Sequence, residues 1–387
     1  MLERNKIICA DVREGLKLLP DNSIQCVITS PPYFGLRSYL PGDSPDKPLE
    51  IGLEKTLDEY VQNMVEIFRE VRRVLRSDGC LWINLGDSFA NDTKWGGQSG
   101  EKNYTSAAGG YGGQRLKRNT GLKPKDLVGA PWRVAFALQA DGWWLRMDII
   151  WAKPNPMPES VTDRPTKSHE YIFLLTKRQK YFYDAEAVKE PADISKQRSK
   201  PVNATEAAGN TSSGDRRINY EKTRHVVTAR NKRSVWTVAT QPFPESHFAV
   251  FPEKLIEPCI LAGTAPQACE KCGAPWRRAV ERVRQPRGDC FGKRHGAFDR
   301  GQAGSPYLQA VDVQTLGWRP TCSCPEATGS GKCIVLDPFM GAGTTALVAA
   351  QHGRDYIGIE ISPEYCKMAE KRVKEATAQQ RLFTEVT

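Results

Sequence analysis

The sequence predicts an α/β fold built on a mostly parallel, seven-stranded sheet. Seven short segments are rich in apolar residues, and several are apolar throughout, as expected for strands that are covered on both faces. Segments with apolar residues at helical spacing lie between them, and this alternation of strands with helices is typical of parallel sheets. The predicted strands are residues 6–10, 25–29, 80–85, 145–151, 171–176, 333–336 and 356–360.

The predicted helices follow from apolar periodicity and from residues that favour a helix start. Between residues 57 and 75, apolar side chains recur at intervals of three and four positions. Asp11 can act as the N-cap of the helix that follows the first strand. Ser362 followed by Pro363 is also typical of a helix start. The predicted helices are residues 12–19, 57–75, 131–140, 344–352 and 363–379.

The chain of 387 residues has a formal net charge of +10, and nearly all of the excess lies in two segments. Residues 186–235 hold 11 Lys and Arg against 6 Asp and Glu, and residues 266–330 hold 10 against 6. A basic excess concentrated in segments that interrupt the α/β pattern favours a polyanionic partner. A solvated basic surface without a partner is the alternative.

The sequence carries no signal for a membrane or for export. It contains no apolar run of about 18 residues, and its first residues lack an apolar signal segment. We therefore expect a cytoplasmic protein with no membrane partner. Most of its 11 cysteines stand singly in apolar runs, so they are expected to remain reduced.

A glycine-rich turn joins the sixth predicted strand to a predicted helix. It reads Asp-Pro-Phe-Met-Gly-Ala-Gly-Thr-Thr over residues 337–345. Gly341 and Gly343 permit a tight turn and a close approach of the backbone to a ligand. Glu360, at the end of the next strand, can accept hydrogen bonds from both hydroxyls of a ribose. The combination predicts a nucleoside cofactor, and a solvated strand end is the alternative for Glu360.

A second loop, Ser-Pro-Pro-Tyr at residues 30–33, follows the buried strand at 25–29. Its prolines end the strand and stiffen the loop, and ligands of open α/β sheets bind at such carboxyl ends. The Ser30 hydroxyl and the Pro31 carbonyl can accept hydrogen bonds from an exocyclic amine, while Tyr33 can stack on a flat base. These contacts would turn the lone pair of the amine toward an electrophile. A plain turn is the alternative.

Both loops resemble motifs of one enzyme family, the amino-methylating DNA methyltransferases. The glycine-rich turn is similar to their S-adenosylmethionine motif, and Ser-Pro-Pro-Tyr is similar to their catalytic motif. The catalytic motif comes first in the chain, an order that resembles the circularly permuted β class. The resemblance implies a Rossmann-like methyltransferase fold in which the first and last strands are neighbours. It implies a catalytic set of Ser30, Pro31, Pro32 and Tyr33 and a cofactor set of Asp11, Asp337, Pro338, Phe339, Gly341, Gly343, Thr344, Thr345 and Glu360.

The resemblance further implies direct methyl transfer from S-adenosylmethionine to an exocyclic amine in double-stranded DNA, after the base is flipped out of the duplex. Serine at the first motif position is more typical of enzymes for cytosine N4, and adenine N6 is the alternative. Further alternatives are transfer to RNA or to a small molecule, and a non-enzymatic, zinc-containing DNA-binding protein with a vestigial methylase fold.

The same resemblance places other residues and a biological setting. Asp11 is assigned near the adenine of the cofactor, with the N-cap as its alternative. His169 and Glu170 are expected to be structural residues, with a general base as the alternative. The setting implied is the cytoplasm of a bacterium, with a bacterial or a phage gene. A companion restriction endonuclease and a solitary role are both open, and so is the oligomeric state.

The motifs divide the chain into predicted segments. In chain order these are the catalytic half of the methyltransferase domain (1–185), a target-recognition insertion (186–235), a return segment (236–265), a cysteine-rich basic insertion (266–330) and the cofactor-binding half (331–387). A glycine-rich stretch at 91–123 is predicted to be a mobile loop. The predicted DNA contacts in the recognition insertion are Arg216, Arg217, Arg230, Lys232 and Arg233, and a solvated surface is the alternative.

Four cysteines of the basic insertion have a spacing that indicates a metal site. They are Cys269, Cys272, Cys322 and Cys324. A Cys-x-x-Cys-Gly pair followed by a Cys-x-Cys pair favours structural Zn²⁺ held by four thiolates. This ion would hold the basic insertion together and take no part in methyl transfer. Reduced, unliganded cysteines are the alternative, and Cys290 or Cys333 could replace one member of the set.

Overall fold

The computed structural model of the chain describes residues 2–35, 38–90, 120–192, 224–241, 250–284 and 308–384. The chain divides into two compact units. The first comprises Met1–Ala187, Arg233–Arg277 and Pro320–Thr387, and the second comprises Val188–Lys232 and Arg278–Arg319. Most of the predicted glycine-rich loop lies outside the described residues, because positions 91–119 are not among them.

The described residues contain thirteen strands and six α-helices. The strands are β1 (Lys6–Cys9), β2 (Ile24–Thr29), β3 (Leu75–Leu85), β4 (Trp144–Ala152), β5 (His169–Thr176), β6 (Glu190–Pro191), β7 (Arg224–Val227), β8 (Ala229–Arg230), β9 (Val235–Thr237), β10 (Arg277–Arg284), β11 (Leu308–Arg319), β12 (Ile334–Asp337) and β13 (Asp355–Glu360). The helices are α1 (Val12–Lys17), α2 (Leu57–Val74), α3 (Ala130–Ala140), α4 (Glu253–Gly263), α5 (Thr344–Gln351) and α6 (Pro363–Thr384).

The first unit is built on one sheet with the strand order β1-β13-β12-β2-β3-β5-β4-β9. Strand β5 runs antiparallel to both of its neighbours, whereas the other pairings are parallel. All seven predicted strands lie in this sheet, which confirms the mostly parallel α/β fold. The sheet has one strand more than predicted, because β9 is too short for its alternation to stand out in the sequence.

The chain termini meet in the sheet, as the permuted motif order predicts. Strand β1 lies parallel to β13, with Lys6 opposite Ile357 and Cys9 opposite Glu360. Strand β12, which precedes the glycine-rich turn, lies between β13 and β2. The first and last segments of the polypeptide therefore form one continuous surface at the carboxyl ends of these strands.

Helix α2 shows how the sequence sets the layers around the sheet. A capping box between Thr56 and Glu59 starts the helix, and its periodic apolar face is buried. Strand β2 is buried along its whole length, as expected for a strand with helices on both faces. No helix within the described part of the chain is long and apolar enough to cross a bilayer.

The second unit contains two small sheets. One has the strand order β10-β11-β7, and the other pairs β6 with β8 in antiparallel fashion. This unit comprises Val188–Lys232 and Arg278–Arg319. It therefore contains both predicted basic segments, residues 186–235 and 266–330, except for the residues at their ends. The four clustered cysteines belong to the first unit, because the residues on both sides of residues 278–319 return to it.

Candidate active site

The two predicted loops leave the same edge of the sheet side by side. Strands β2 and β12 are parallel neighbours, with Cys26 opposite Val335 and Val27 opposite Leu336. The loops that follow their carboxyl ends therefore start next to each other. The hydroxyl oxygen of Thr345 in the second loop lies 3.5 Å from the carbonyl oxygen of Ile28.

The first loop is held by a hydrogen-bond network that reaches two further strands. The hydroxyl of Tyr33 donates to Glu170 Oε2 at 2.8 Å and lies 3.1 Å from Asn84 Oδ1. The Ser30 hydroxyl lies 3.3 Å from the Tyr33 hydroxyl and 3.4 Å from Asn84 Oδ1. Asn84 Nδ2 donates to Glu170 Oε2 at 3.2 Å, which closes the network. Ser30 and Tyr33 thus share their polar partners.

Glu170 is the centre of this network, although the sequence favoured a structural role at the sheet edge for it. Its second carboxylate oxygen contacts the ammonium group of Lys153. Burial and the negative charge of Glu170 raise the pKa of the Tyr33 phenol well above its usual value, so the phenol keeps its proton. His169 instead lies 3.4 Å from the Tyr171 hydroxyl. Burial and the positive charge of Lys167 lower the His169 pKa.

The first loop is held both at its backbone and at its tyrosine ring. The hydroxyl of buried Tyr60 on α2 donates to the Pro32 carbonyl oxygen at 3.0 Å. A Cβ atom at Gly86 would lie 2.5 Å from Cε2 of Tyr33, so the ring packs directly on this glycine. Any side chain at Gly86 would therefore displace the Tyr33 ring.

The second loop is anchored by a buried carboxylate at the end of β12. Asp337 is 1% exposed, and its Oδ1 accepts the N–H of Phe339 at 3.0 Å. Its Oδ2 accepts the hydroxyl of Thr345 at 2.7 Å. Burial raises the pKa of Asp337 to about 6, against the opposing effect of these hydrogen bonds.

Both glycines of the turn adopt the left-handed conformation, with φ of 51° at Gly341 and 80° at Gly343. Gly343 is the N-cap of α5, and a Cβ atom there would lie 2.7 Å from the Cβ of Ala369. A side chain at Gly343 would therefore be strained and would also collide with α6. The neighbouring Pro338 and Thr344 are buried, whereas Phe339 is partly exposed.

Glu360 lies at the end of β13 and faces the glycine turn. Its Oε2 accepts the N–H of Gly341 at 2.8 Å, and its Oε1 accepts the N–H of Ser362 at 2.9 Å. Burial raises the pKa of Glu360 to about 7, and the nearby Asp337 adds to the shift. The glycine turn and the acidic strand end are thus in direct contact, an arrangement that suits a nucleoside ligand.

Asp11 follows β1 at the same edge of the sheet. Its Oδ1 accepts the N–H of Arg13 at 2.9 Å, and its Oδ2 lies 3.1 Å from the Arg13 guanidinium. Asp11 is therefore the N-cap of α1, as one of its two predicted roles required. Its assignment near an adenine ring stays a prediction.

The predicted DNA contacts are only partly described. Arg216 and Arg217 lie outside the described residues. Arg230 in β8 forms an ion pair of 2.9 Å with Glu190 in β6. Lys232 and Arg233 follow in the chain, at the boundary of the two units. The ion pair offsets part of the positive charge on which the prediction for Arg230 rested.

The four clustered cysteines come together as their spacing indicates. The sulfur atoms of Cys269, Cys272, Cys322 and Cys324 all lie within 4.8 Å of one another. Cys333 is fully buried immediately before β12 and is not a member of this set. Cys290 lies outside the described residues.

Sequence reasoning missed the supporting roles of Asn84 and Lys153. Asn84 is 5% exposed within the apolar stretch at residues 80–85 of β3, and a buried amide in such a stretch signals a satisfied polar network. Its partners could not be read from the sequence, because Glu170 lies 86 positions further along the chain.

Comparison with known proteins agrees with this geometry. The family model N6_N4_Mtase, described as DNA methylase, matches residues 24–269 and 325–371. The type II methyltransferase M.SmaI of Serratia marcescens is 37% identical over 95% of this chain and 90% of its own length. M.Cfr9I of Citrobacter freundii is 37% identical over 94% of this chain and 86% of its own length.

A solved structure shows the same fold. The PvuII DNA methyltransferase, described as cytosine-N4-specific, has a TM-score of 0.50 at 15% identity and covers 98% of this chain and 93% of its own. At this identity the likeness concerns the fold alone. The family match and the relatives at 37% identity show that the chain belongs to the N6/N4 DNA methylase family of S-adenosylmethionine-dependent DNA methyltransferases.

Proposed function

We propose that the protein transfers a methyl group from S-adenosylmethionine directly to the exocyclic N4 atom of cytosine in duplex DNA. The observation that carries this proposal is the placement of the Ser30–Tyr33 loop and the glycine turn on neighbouring strands. The first loop offers acceptors for an amine, and the second offers a turn and a carboxylate that suit a nucleoside. The two reactants would therefore meet at one edge of the sheet.

The residues of the first loop are proposed to prepare the amine. The Ser30 hydroxyl and the Pro31 carbonyl accept its hydrogen bonds, which pyramidalises the nitrogen and turns its lone pair toward the glycine turn. Tyr33 stacks on the flipped base, and its ring is already fixed by Glu170 and Gly86. The nitrogen would gain the methyl group as the carbon–sulfur bond of the sulfonium breaks and leaves a neutral thioether, and it would then release one proton to solvent, so no covalent enzyme intermediate is needed.

The residues of the second loop are proposed to hold the cofactor, which supplies a methyl group activated by a sulfonium. Glu360 would accept the ribose hydroxyls, and Asp11 would lie on the adenine side. The methionine end would lie against the turn formed by Asp337, Pro338, Phe339, Gly341, Gly343, Thr344 and Thr345. The left-handed glycines fit this task because their backbone can approach a ligand closely. The four-cysteine cluster is proposed to bind Zn²⁺ and to take no part in the transfer.

The choice of cytosine rests on Ser30, because serine at this motif position is more typical of cytosine-N4 enzymes. Transfer to adenine N6 is the second candidate, since an amine conjugated to a purine needs the same acceptors. The decisive experiment incubates duplex DNA with the full chain and methyl-deuterated S-adenosylmethionine, followed by mass spectrometry of the nucleosides. Deuterated N4-methyl-2′-deoxycytidine supports the proposal, whereas deuterated N6-methyl-2′-deoxyadenosine overturns the choice of base. In a parallel incubation with RNA, transfer to RNA together with no transfer to DNA would overturn the choice of DNA as the substrate.

We propose that basic residues around Arg230, Lys232 and Arg233 contact the DNA backbone. Phosphate contacts of this kind release counterions, so affinity for DNA should fall steeply as salt rises. The matching relatives carry the names of type II methyltransferases, which supports a role in restriction and modification. Resistance of DNA methylated by this protein to a restriction endonuclease encoded beside it would test that role.

A further inference from the structure

The four-cysteine cluster is compact enough to hold a metal ion. In a tetrahedral thiolate site with Zn–S bonds of about 2.3 Å, the sulfur atoms lie about 3.8 Å apart. The sulfur atoms of this cluster lie within 4.8 Å of one another, and all four thiols are free. Four thiolates in a tetrahedral arrangement suit Zn²⁺ better than hard cations that prefer oxygen ligands.

Protein contacts hold the two cysteine pairs together. The Glu270 carboxylate accepts the N–H groups of Thr328 at 2.9 Å and of Gly329 at 3.2 Å. The Lys271 ammonium donates to the Pro325 carbonyl oxygen at 2.6 Å. The residues between the first two cysteines are thus bonded to the segment that follows the second two, so an ion would meet a preformed site.

The first pair has the backbone of a tight metal-binding turn. Gly273 has a φ of 69°, and its N–H donates to the Cys269 carbonyl oxygen at 2.8 Å. The Cys269 N–H in turn donates to the Ala274 carbonyl oxygen at 2.9 Å. This turn brings both thiols of the pair to one side, and the left-handed residue explains the glycine after the second cysteine.

A single buried side chain connects this turn to the catalytic sheet. Gln25, which is 3% exposed, donates from Nε2 to the Gly273 carbonyl oxygen at 2.8 Å. Its Oε1 accepts the N–H of Ile334 at 2.7 Å. Gln25 lies near the start of β2, and Ile334 is the first residue of β12. The turn is therefore bonded to the amino ends of the two strands whose carboxyl ends carry the active-site loops.

We propose that the cluster binds one structural Zn²⁺ and that this ion stabilises the pairing of β2 with β12 through Gln25. This proposal differs from the prediction that zinc holds the basic insertion together, because the cysteines and their contacts belong to the unit of the catalytic sheet. Three of the four ligands lie in residues 270–324, outside the two ranges that the family model matches. The proposal does not depend on the base that is methylated.

The metal is tested on the full chain by elemental analysis and by cobalt substitution. We expect about one Zn²⁺ per chain, and on Co²⁺ loading the visible absorption and charge-transfer bands of a tetrahedral thiolate site. Cys272→Ser should lose about nine-tenths of the zinc, whereas the matched control Cys9→Ser, at an exposed cysteine, should retain it. Zinc-free protein without thiolate bands after Co²⁺ loading would overturn the proposal.

The connection to the sheet is tested by hydrogen exchange with and without zinc. Removal of the ion by a chelator should increase amide exchange in β2 and β12 more than in the distant strand β4. Equal exchange in the two strands with and without zinc would overturn the proposed connection. In Gln25→Leu, zinc should still bind, but its removal should lower the melting temperature less than in the wild type. These readouts use neither DNA nor S-adenosylmethionine, so their failure is distinct from failure of the proposed methyl transfer.

Discussion

The two loops of the candidate active site are stabilised in different ways. In the glycine turn, most polar contacts join residues between 2 and 30 positions apart in the chain, and the 3.5 Å contact of Thr345 with Ile28 is the exception. In the Ser30–Tyr33 loop, the stabilising contacts reach 28, 54 and 137 positions along the chain. The cofactor turn is therefore largely self-contained, whereas the geometry of the catalytic loop depends on the assembled sheet.

This difference predicts that substitutions in the two loops change different measurable quantities. Changes in the catalytic loop and its remote supports should reduce turnover and leave cofactor affinity nearly intact. Changes in the glycine turn or at Glu360 should act first on cofactor affinity.

The largest effect is expected for Ser30→Ala. Loss of the hydroxyl removes one acceptor of the amine, so turnover should fall about 100-fold, as for other single groups that stabilise a transition state. The dissociation constant of S-adenosylmethionine should change less than about twofold. Single-turnover methyl transfer and equilibrium dialysis measure the two quantities. Unchanged turnover would remove Ser30 from the proposed chemistry.

Gly86→Ala should have the next largest effect, between about 10- and 100-fold on turnover, because the new methyl group displaces the Tyr33 ring. Gly42→Ala is the matched control, since nothing lies within 4 Å of a Cβ atom there. Single-turnover methyl transfer and equilibrium dialysis again measure turnover and cofactor affinity. A Gly86→Ala enzyme as fast as the control would show that the position of Tyr33 does not matter for transfer.

Glu360 should make cofactor affinity depend on pH. Only the ionised carboxylate accepts both ribose hydroxyls, and its pKa in the free protein is about 7. Affinity should therefore fall as pH decreases through 7, by about tenfold per pH unit in the acid limit. Titration calorimetry across this range measures the slope.

Glu360→Gln is the control, and it should bind more weakly at neutral pH with a flatter profile. In the protein without cofactor, rising pH has the opposite effect on the stability that Glu360 contributes. Folding raises the pKa above its usual 4.5, so the contribution of Glu360 to stability falls as pH rises from about 4.5 to about 7. Equal pH slopes for the wild type and the variant would exclude Glu360 as the ribose ligand.

The smallest effect is expected for Tyr60→Phe, which removes the hydrogen bond to the Pro32 carbonyl. The free energy of unfolding should fall by about 1 kcal/mol, and turnover should fall only a few-fold. Tyr183→Phe, at an exposed tyrosine, should change stability by less than about 0.5 kcal/mol. Urea denaturation compares the two variants, and equal stabilities would mean that Tyr60 does not support the loop.

The same contrast explains what could be predicted from the sequence. The seven predicted strands of the first unit's sheet and the meeting of β1 with β13 followed from local patterns and motif order. The support of Tyr33 by Glu170 did not, because it depends on which strands pair with β3. The short strand β9 also escaped prediction, since three residues carry too little periodicity.

We propose that loops from opposite ends of the chain bring an activated methyl group against a base nitrogen. The most direct test of this proposal is a crystal structure with target DNA and a non-reactive cofactor analogue, once sequencing of methylated DNA has identified the site. We predict the exocyclic nitrogen about 3–3.5 Å from the analogue atom that replaces the methyl group, beside Ser30 and Pro31. A base bound away from Ser30, or a cofactor away from Gly341, would contradict the account.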